Sequence, residues 1–109
     1  MLCKIYLQIK FLASLKTILG KDQLIYNIDT NNFTLENLID ELIKEFGQTI
    51  ENLLMNKETK NINPEILIFI DNKEIQTLQK LKTPLKDGNH ITFLSSIHGG
   101  FIPKTQNFY

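Results

Sequence analysis

Residues 31–47, NNFTLENLIDELIKEFG, hold the pattern that decides the fold. Apolar side chains fall at Leu35, Leu38, Ile39, Leu42, Ile43 and Phe46, the spacing of a single buried stripe on an α-helix. Thr34 stands where an N-cap is needed, its hydroxyl placed to accept an amide of the first turn that has no partner inside the helix. Phe33 and Leu38 then occupy the two positions of a hydrophobic staple. Glu36 near the start and Lys44 near the end suit the helix dipole, and Gly47 supplies the left-handed backbone that often closes a helix. Ile50, Leu53 and Leu54 suggest one short extra turn beyond it. A single amphipathic helix needs one apolar surface to lie on.

The segments on either side supply strands. From Cys3 to Phe11 the chain alternates, with Cys3, Ile5, Leu7, Ile9 and Phe11 on one face and Lys4, Tyr6, Gln8 and Lys10 on the other. A second strand is predicted from Gln23 to Asp29, with Leu24, Tyr26 and Ile28 on one face, joined to the first by a long connection, LASLKTILGKD. After the helix, NKETKNINP reads as a polar surface loop. EILIFID is a dense apolar run, short enough for a central strand, and DNKE after it is a turn. EIQTLQKLKTPLKDG is broken by Pro84 and Gly88, so it offers at most a short strand around Glu74 to Leu78. HITFLSS is the last strand, with Ile91 and Phe93 inward and Thr92 and Leu94 on the other face. The order β-β-α-β-(β)-β places one helix over one face of a mixed sheet of four to five strands, with the first and last strands as parallel central neighbours. This is the α+β arrangement of the β-grasp.

Composition excludes several classes of function. The chain has 109 residues and 42% apolar side chains, enough for one domain with one core. No segment approaches the ~20 apolar residues of a membrane span, and the first segment is not a signal peptide, so a soluble, cytoplasmic protein is expected. Twelve Lys balance twelve Asp and Glu, and there is no Arg, which argues against a nucleic-acid surface. A lone cysteine, Cys3, allows no internal disulfide and reads as a small buried hydrophobe. His90 and His98 have no acidic or cysteine partners for a metal site and read as rim residues. Glu36, Asp40, Glu41 and Glu45 lie on the polar side of the helix, where a solvated face explains them. No set of acid, base and nucleophile emerges, so catalysis by this chain is not expected.

The closing stretch, SSIHGGFIPKTQNFY, leaves Gly99-Gly100 shortly after the last strand with no packed element apparent beyond it. Alone the pair would be a turn. As a terminus it would be chemically special, because a tail without Cβ atoms can thread a narrow slot and bring a carboxylate to a partner enzyme.

Three blocks, IKFLASLKTILG, LENLIDELI and LKDGNHITFLSSIHGG, give the chain a resemblance over residues 1–100 to the ubiquitin-related modifiers and the MoaD and ThiS sulfur carriers. The resemblance implies a β-grasp domain and a protein that is not an enzyme but the substrate of one. In that chemistry an activating enzyme uses ATP to adenylate the C-terminal glycine, and sulfur transfer then gives a thiocarboxylate. Sulfur passes on to tRNA thiolation, molybdopterin or thiazole, or the glycine is joined to a target-protein lysine. No bound cofactor is implied, and no metal. Gly99 and Gly100 carry over as the activated tail. His98 matches the family's closing HGG and is taken with the partner-binding residues, without a derived role.

Two departures stand out. Where sulfur carriers usually show DGD, this chain has Asp87-Gly88-Asn89. Residues 101–109, FIPKTQNFY, come after Gly100, so the carrier chemistry requires a processing protease to cut at that glycine. The expected division is a domain at 1–100 and an extension at 101–109. The alternative is a non-catalytic interaction module whose uncleaved tail is structural. Partner docking, whether by the activating enzyme or the large subunit of a molybdopterin synthase, is expected on the sheet face opposite the helix. Alternation nominates Tyr6, Gln8, Ile68, Ile70, Thr92 and Leu94 for it.

Overall fold

The structure, a computed structural model, describes residues 3–95. Gly99, Gly100, His98 and residues 101–109 lie outside the described residues, as does the side chain of Cys3.

Strand β1 spans Cys3–Leu12 and pairs antiparallel with β2, Gln23–Thr30. On its other side β1 runs parallel to β7, His90–Ser95. Strand β5, Ile66–Ile70, is antiparallel to β7 and to the short β6, Lys73–Glu74. Among the described residues these make a five-stranded sheet of order β2-β1-β7-β5-β6. The first and last strands are thus parallel central neighbours, as expected from one helix covering one face of the sheet. The element order and the mixed sheet make this a ubiquitin-like β-grasp.

Helix α2, Leu35–Phe46, covers the inner face of the sheet. Thr34 caps it as its sequence predicted, its Oγ1 accepting the amide of Asn37 at 3.3 Å while Asn37 Oδ1 accepts the amide of Thr34 at 2.9 Å. Leu35, Leu38, Ile39 and Leu42 are buried against Ile5, Leu7, Ile9 and Phe11 of β1, Ile91 and Phe93 of β7, and Ile66, Ile68 and Ile70 of β5. The Phe11 and Phe93 rings meet at 5.6 Å between centroids, and Phe46 meets Phe11 edge-on at 6.3 Å. The extra turn anticipated after Gly47 is α3, Gln48–Leu54, which buries Ile50 and Leu54.

Three segments differ from expectation. The connection after β1 contains a short helix, α1, Ser14–Leu19, which buries Leu15 against the core. The segment read as a surface loop forms a small hairpin of β3, Met55–Asn56, and β4, Asn61–Ile62. The strand expected around Glu74 to Leu78 is only Lys73–Glu74, after which the chain coils through two 3₁₀ turns, Ile75–Thr77 and Lys80–Lys82. That coil stops being a strand because its apolar residues are needed inside. Ile75 and Leu85 are buried, and Leu78 and Leu81 pack on the core, a spacing that alternation cannot provide. The coil is fastened to the start of α2: Leu35 donates to the carbonyl of Thr83 at 3.0 Å and Leu85 to that of Phe33 at 2.8 Å.

Candidate functional site

The register of the strands fixes what the open face of the sheet presents. On β1 the outward side chains are Tyr6, Gln8, Lys10 and Leu12, because Leu7, Ile9 and Phe11 between them are buried. Leu12 lies beside Leu94, which lies beside Leu67, so three leucines form one row across β1, β7 and β5. The next row holds Gln23, Lys10, Thr92 and Phe69, and after it come Ile25, Gln8 and His90. Tyr6 pairs with Asn27 at the far end. Tyr6 is 37% exposed and Ile25 54% exposed, the kind of apolar surface that marks an interaction face when it is contiguous.

Four of the six residues nominated from alternation therefore lie on this face: Tyr6, Gln8, Thr92 and Leu94. Ile68 and Ile70 do not. They are 0% and 6% exposed and point into the core under α2. The face is completed on β5 by Leu67 and Phe69, one residue out of phase, and both are half-buried. Ile66–Ile70 is apolar at every position, so its sequence carries no signal of which parity faces in. Leu12 shares the parity of Gln8 and Lys10, and that alternation could have found it.

Strand β7 is held at its start by the turn at Asp87-Gly88-Asn89. The amide of Tyr6 donates to Asp87 Oδ1 and that of Gly88 to the Tyr6 carbonyl, both at 2.8 Å. Gly88 has φ +88°, a backbone other residues adopt only with strain. Asn89 accepts the Lys86 amide through Oδ1 at 2.6 Å and donates from Nδ2 to Asp71. Asp71 in turn accepts the His90 amide at 2.9 Å and donates its own amide to the His90 carbonyl at 2.8 Å. An amide side chain at position 89 is thus matched to a carboxylate on the β5–β6 turn.

Elsewhere, three of the four helix carboxylates named above have partners. Glu45 accepts the Tyr26 hydroxyl at 2.6 Å, Glu41 meets Lys44 at 3.2 Å, and Glu36 meets Lys82 at 3.1 Å. Burial and then the Glu45 hydrogen bond hold the Tyr26 phenol well above its ordinary range. A cleft of about 490 Å³ between α2 and the β3–β4 hairpin is lined by Ile39, Ile43, Met55 and Leu81 with acidic and basic residues around them. Among the described residues no group of three or more His, Cys, Asp or Glu could hold a metal ion. No described helix is long and apolar enough to cross a membrane. His90 is exposed at the edge of the open face.

Comparison with known proteins places this geometry. The family model Urm1 (Ubiquitin related modifier) matches residues 6–100. A ubiquitin-related modifier 1 of Candida glabrata is 30% identical over 100 residues, covering 85% of this chain and 96% of that one. The solution structure of Urm1 from Trypanosoma brucei has the same fold, with a TM-score of 0.69 and 19% identity over 92% of this chain and 100% of that one. The crystal structure of the small archaeal modifier SAMP1 from Haloferax volcanii gives a TM-score of 0.72 at 15% identity, over 87% of this chain and 99% of that one.

Proposed function

The chain belongs to the Urm1 family of ubiquitin-related modifiers, and from that premise we propose that it is a sulfur carrier and protein modifier made as a precursor. The observation that carries this reading is where the family match stops. It runs from residue 6 to residue 100 and ends on the second glycine of the Gly99-Gly100 pair, leaving residues 101–109 outside it. That boundary supports a division into a domain at 1–100 and a removable extension.

In this reading a protease hydrolyses the Gly100–Phe101 peptide bond, with water supplying the new carboxylate oxygen and the proton on the released amine. The Gly100 carboxylate then attacks the α-phosphate of ATP on an activating enzyme, pyrophosphate leaves, and an acyl-adenylate forms. A sulfur donor displaces AMP to give the thiocarboxylate, from which sulfur passes to tRNA or molybdopterin. An amine of a target lysine can instead displace AMP and form an amide. ATP belongs to the activating enzyme, and this chain contributes its fold, its docking face and its glycines. In this reading the glycine tail enters the activating enzyme's slot while Tyr6, Gln8, Thr92 and Leu94 hold that enzyme. The large subunit of a molybdopterin synthase would dock on the same face.

Intact mass after exposure of the full chain to an extract of its own cells tests the first step. A species ending at Gly100 is expected, and the same species made directly is expected to form an adenylate with ATP and the activating enzyme. If no product ending at Gly100 accumulates and the directly made one is not adenylated, the chain is a non-catalytic module of the same fold.

A further inference from the structure

The two edges of the sheet differ in length. One is β6, two residues long, and the other is β2, eight residues long. The amide of Phe11 donates to the carbonyl of Asp22 at 2.9 Å, which makes those two residues a hydrogen-bonded pair of the antiparallel ladder. By alternation the backbone of Leu24, Tyr26 and Ile28 bonds β1, and the amides and carbonyls of Gln23, Ile25, Asn27 and Asp29 point outward. Among the described residues nothing bonds to those outward groups. Natural sheets blunt such an edge with proline, a bulge or charge along the strand. From Gln23 to Ile28 this strand has none of the three, and Ile25 on its open-face side is 54% exposed.

The strand is complementary to itself. Set antiparallel against a second copy with Ile25 opposite the partner's Ile25, every outward residue meets an outward residue, Gln23 against the partner's Asn27, and they can exchange backbone bonds. The same register carries Lys21 to the partner's Asp29, and a two-fold axis makes that ion pair twice. Lys21 and Asp29 are both exposed, and neither has an ion-pair partner among the described residues. A slip of one residue would set outward groups against groups already bonded to β1, and a slip of two would part both the isoleucines and the charges. On the helix side Tyr26 would meet the partner's Leu24. A space of about 320 Å³ lined by Tyr26, Ile28, Glu41, Lys44 and Glu45 lies open there between β2 and α2.

We propose that the edge of β2 is an interface between two copies of this chain, which join β2 to β2 with Ile25 against Ile25 and so continue one five-stranded sheet into the other. About a two-fold axis both copies keep α2 on one side and their open faces on the other, so the row of Leu12, Leu94 and Leu67 stays clear in each. The pairing stands on the edge alone and does not depend on the carrier reading. One strand's edge is a small interface, of the class that holds transient complexes, so the dimer is expected to form between about 10 µM and about 1 mM chain.

Sedimentation velocity of the full chain across that range, with amide hydrogen exchange at its two ends, tests it. The average mass is expected to rise with concentration. Protection is expected to rise at Gln23, Ile25, Asn27 and Asp29 but not at Leu24, Tyr26 and Ile28, which β1 already holds. Ile25→Lys should weaken the dimer more than about tenfold, since it sets two like charges opposite each other, whereas Ile18→Lys, at a residue 50% exposed on α1, should not. Lys21→Glu and Asp29→Lys should each weaken it about tenfold, and the two together should restore it to within about threefold. A monomer throughout the range overturns the proposal, as does a dimer indifferent to Ile25→Lys or one that the double exchange fails to restore. Outward amides protected equally at both concentrations overturn it as well, because a segment of the same chain would then hold the edge.

Discussion

Asn89 shows how a single residue can look like a loss in sequence and a match in structure. Read along the chain, Asp87-Gly88-Asn89 has dropped a charge from the usual pattern. In space its Nδ2 donates to Asp71, 18 residues earlier on the β5–β6 turn. Nothing in DNKE announces that partner, because its reading as a turn rests on backbone preference and says nothing of where its carboxylate points. Asp71 and Asn72 have φ of 50° and 72°, the left-handed pair of a two-residue hairpin. Asn89→Asp would set two carboxylates against each other and remove a donor. The variant is expected to lose about 1 kcal/mol at neutral pH by denaturant unfolding. Like-charge repulsion raises the folded-state pKa of such a pair, so the deficit should shrink as pH falls through about 4. A constant deficit down to pH 3 would mean that the lost donor, not the charge, matters. Gly88→Ala tests the backbone instead: no atom lies within 4 Å of the added Cβ, so its cost, about 1 kcal/mol, would be conformational alone.

At the scale of elements, the legible parts were those whose two faces differ in chemistry. Strand β1 carries Lys4, Tyr6, Gln8 and Lys10 against Ile5, Leu7, Ile9 and Phe11, so its phase is fixed by composition. Helix α2 is equally plain. Strand β5 is ILIFI, and only its pairing with β7, Ile68 beside Phe93 and Leu67 beside Leu94, settles which side is core. Substitution should therefore split by parity. Ile68→Ala is expected to cost about 3 kcal/mol, as for a fully buried aliphatic side chain, whereas Leu67→Ala should cost less than about 1 kcal/mol. Equal costs would mean that the open face is covered by more than the described residues. The contact between β2 and α2 gives a second test. Tyr26 donates to Glu45, and its phenol is pushed up by burial first and by that carboxylate second. For a group whose folded pKa is raised, the stabilisation is complete below the unfolded value of about 10 and is lost as pH rises above it. Titration of tyrosinate absorbance should show one tyrosine still protonated when the others have ionised. Tyr26→Phe should abolish that lag and cost about 1 kcal/mol at pH 7.

For the molecule as a whole, what could be read without coordinates was the fold. What could not was the lateral assembly of the face. Leu12, Leu94 and Leu67 come from strands separated by most of the chain, and only the parallel pairing of β1 with β7 brings them into one row. That same pairing sets the last described strand in the middle of the sheet, so the neighbours of β7 on both sides are in place within residues 3–95. Truncation after Gly100 should therefore leave a single cooperative unfolding transition with a nearly unchanged denaturant dependence, because that slope follows the surface exposed on unfolding. A clearly smaller slope in the truncated chain would mean that residues 101–109 bury surface in the folded protein.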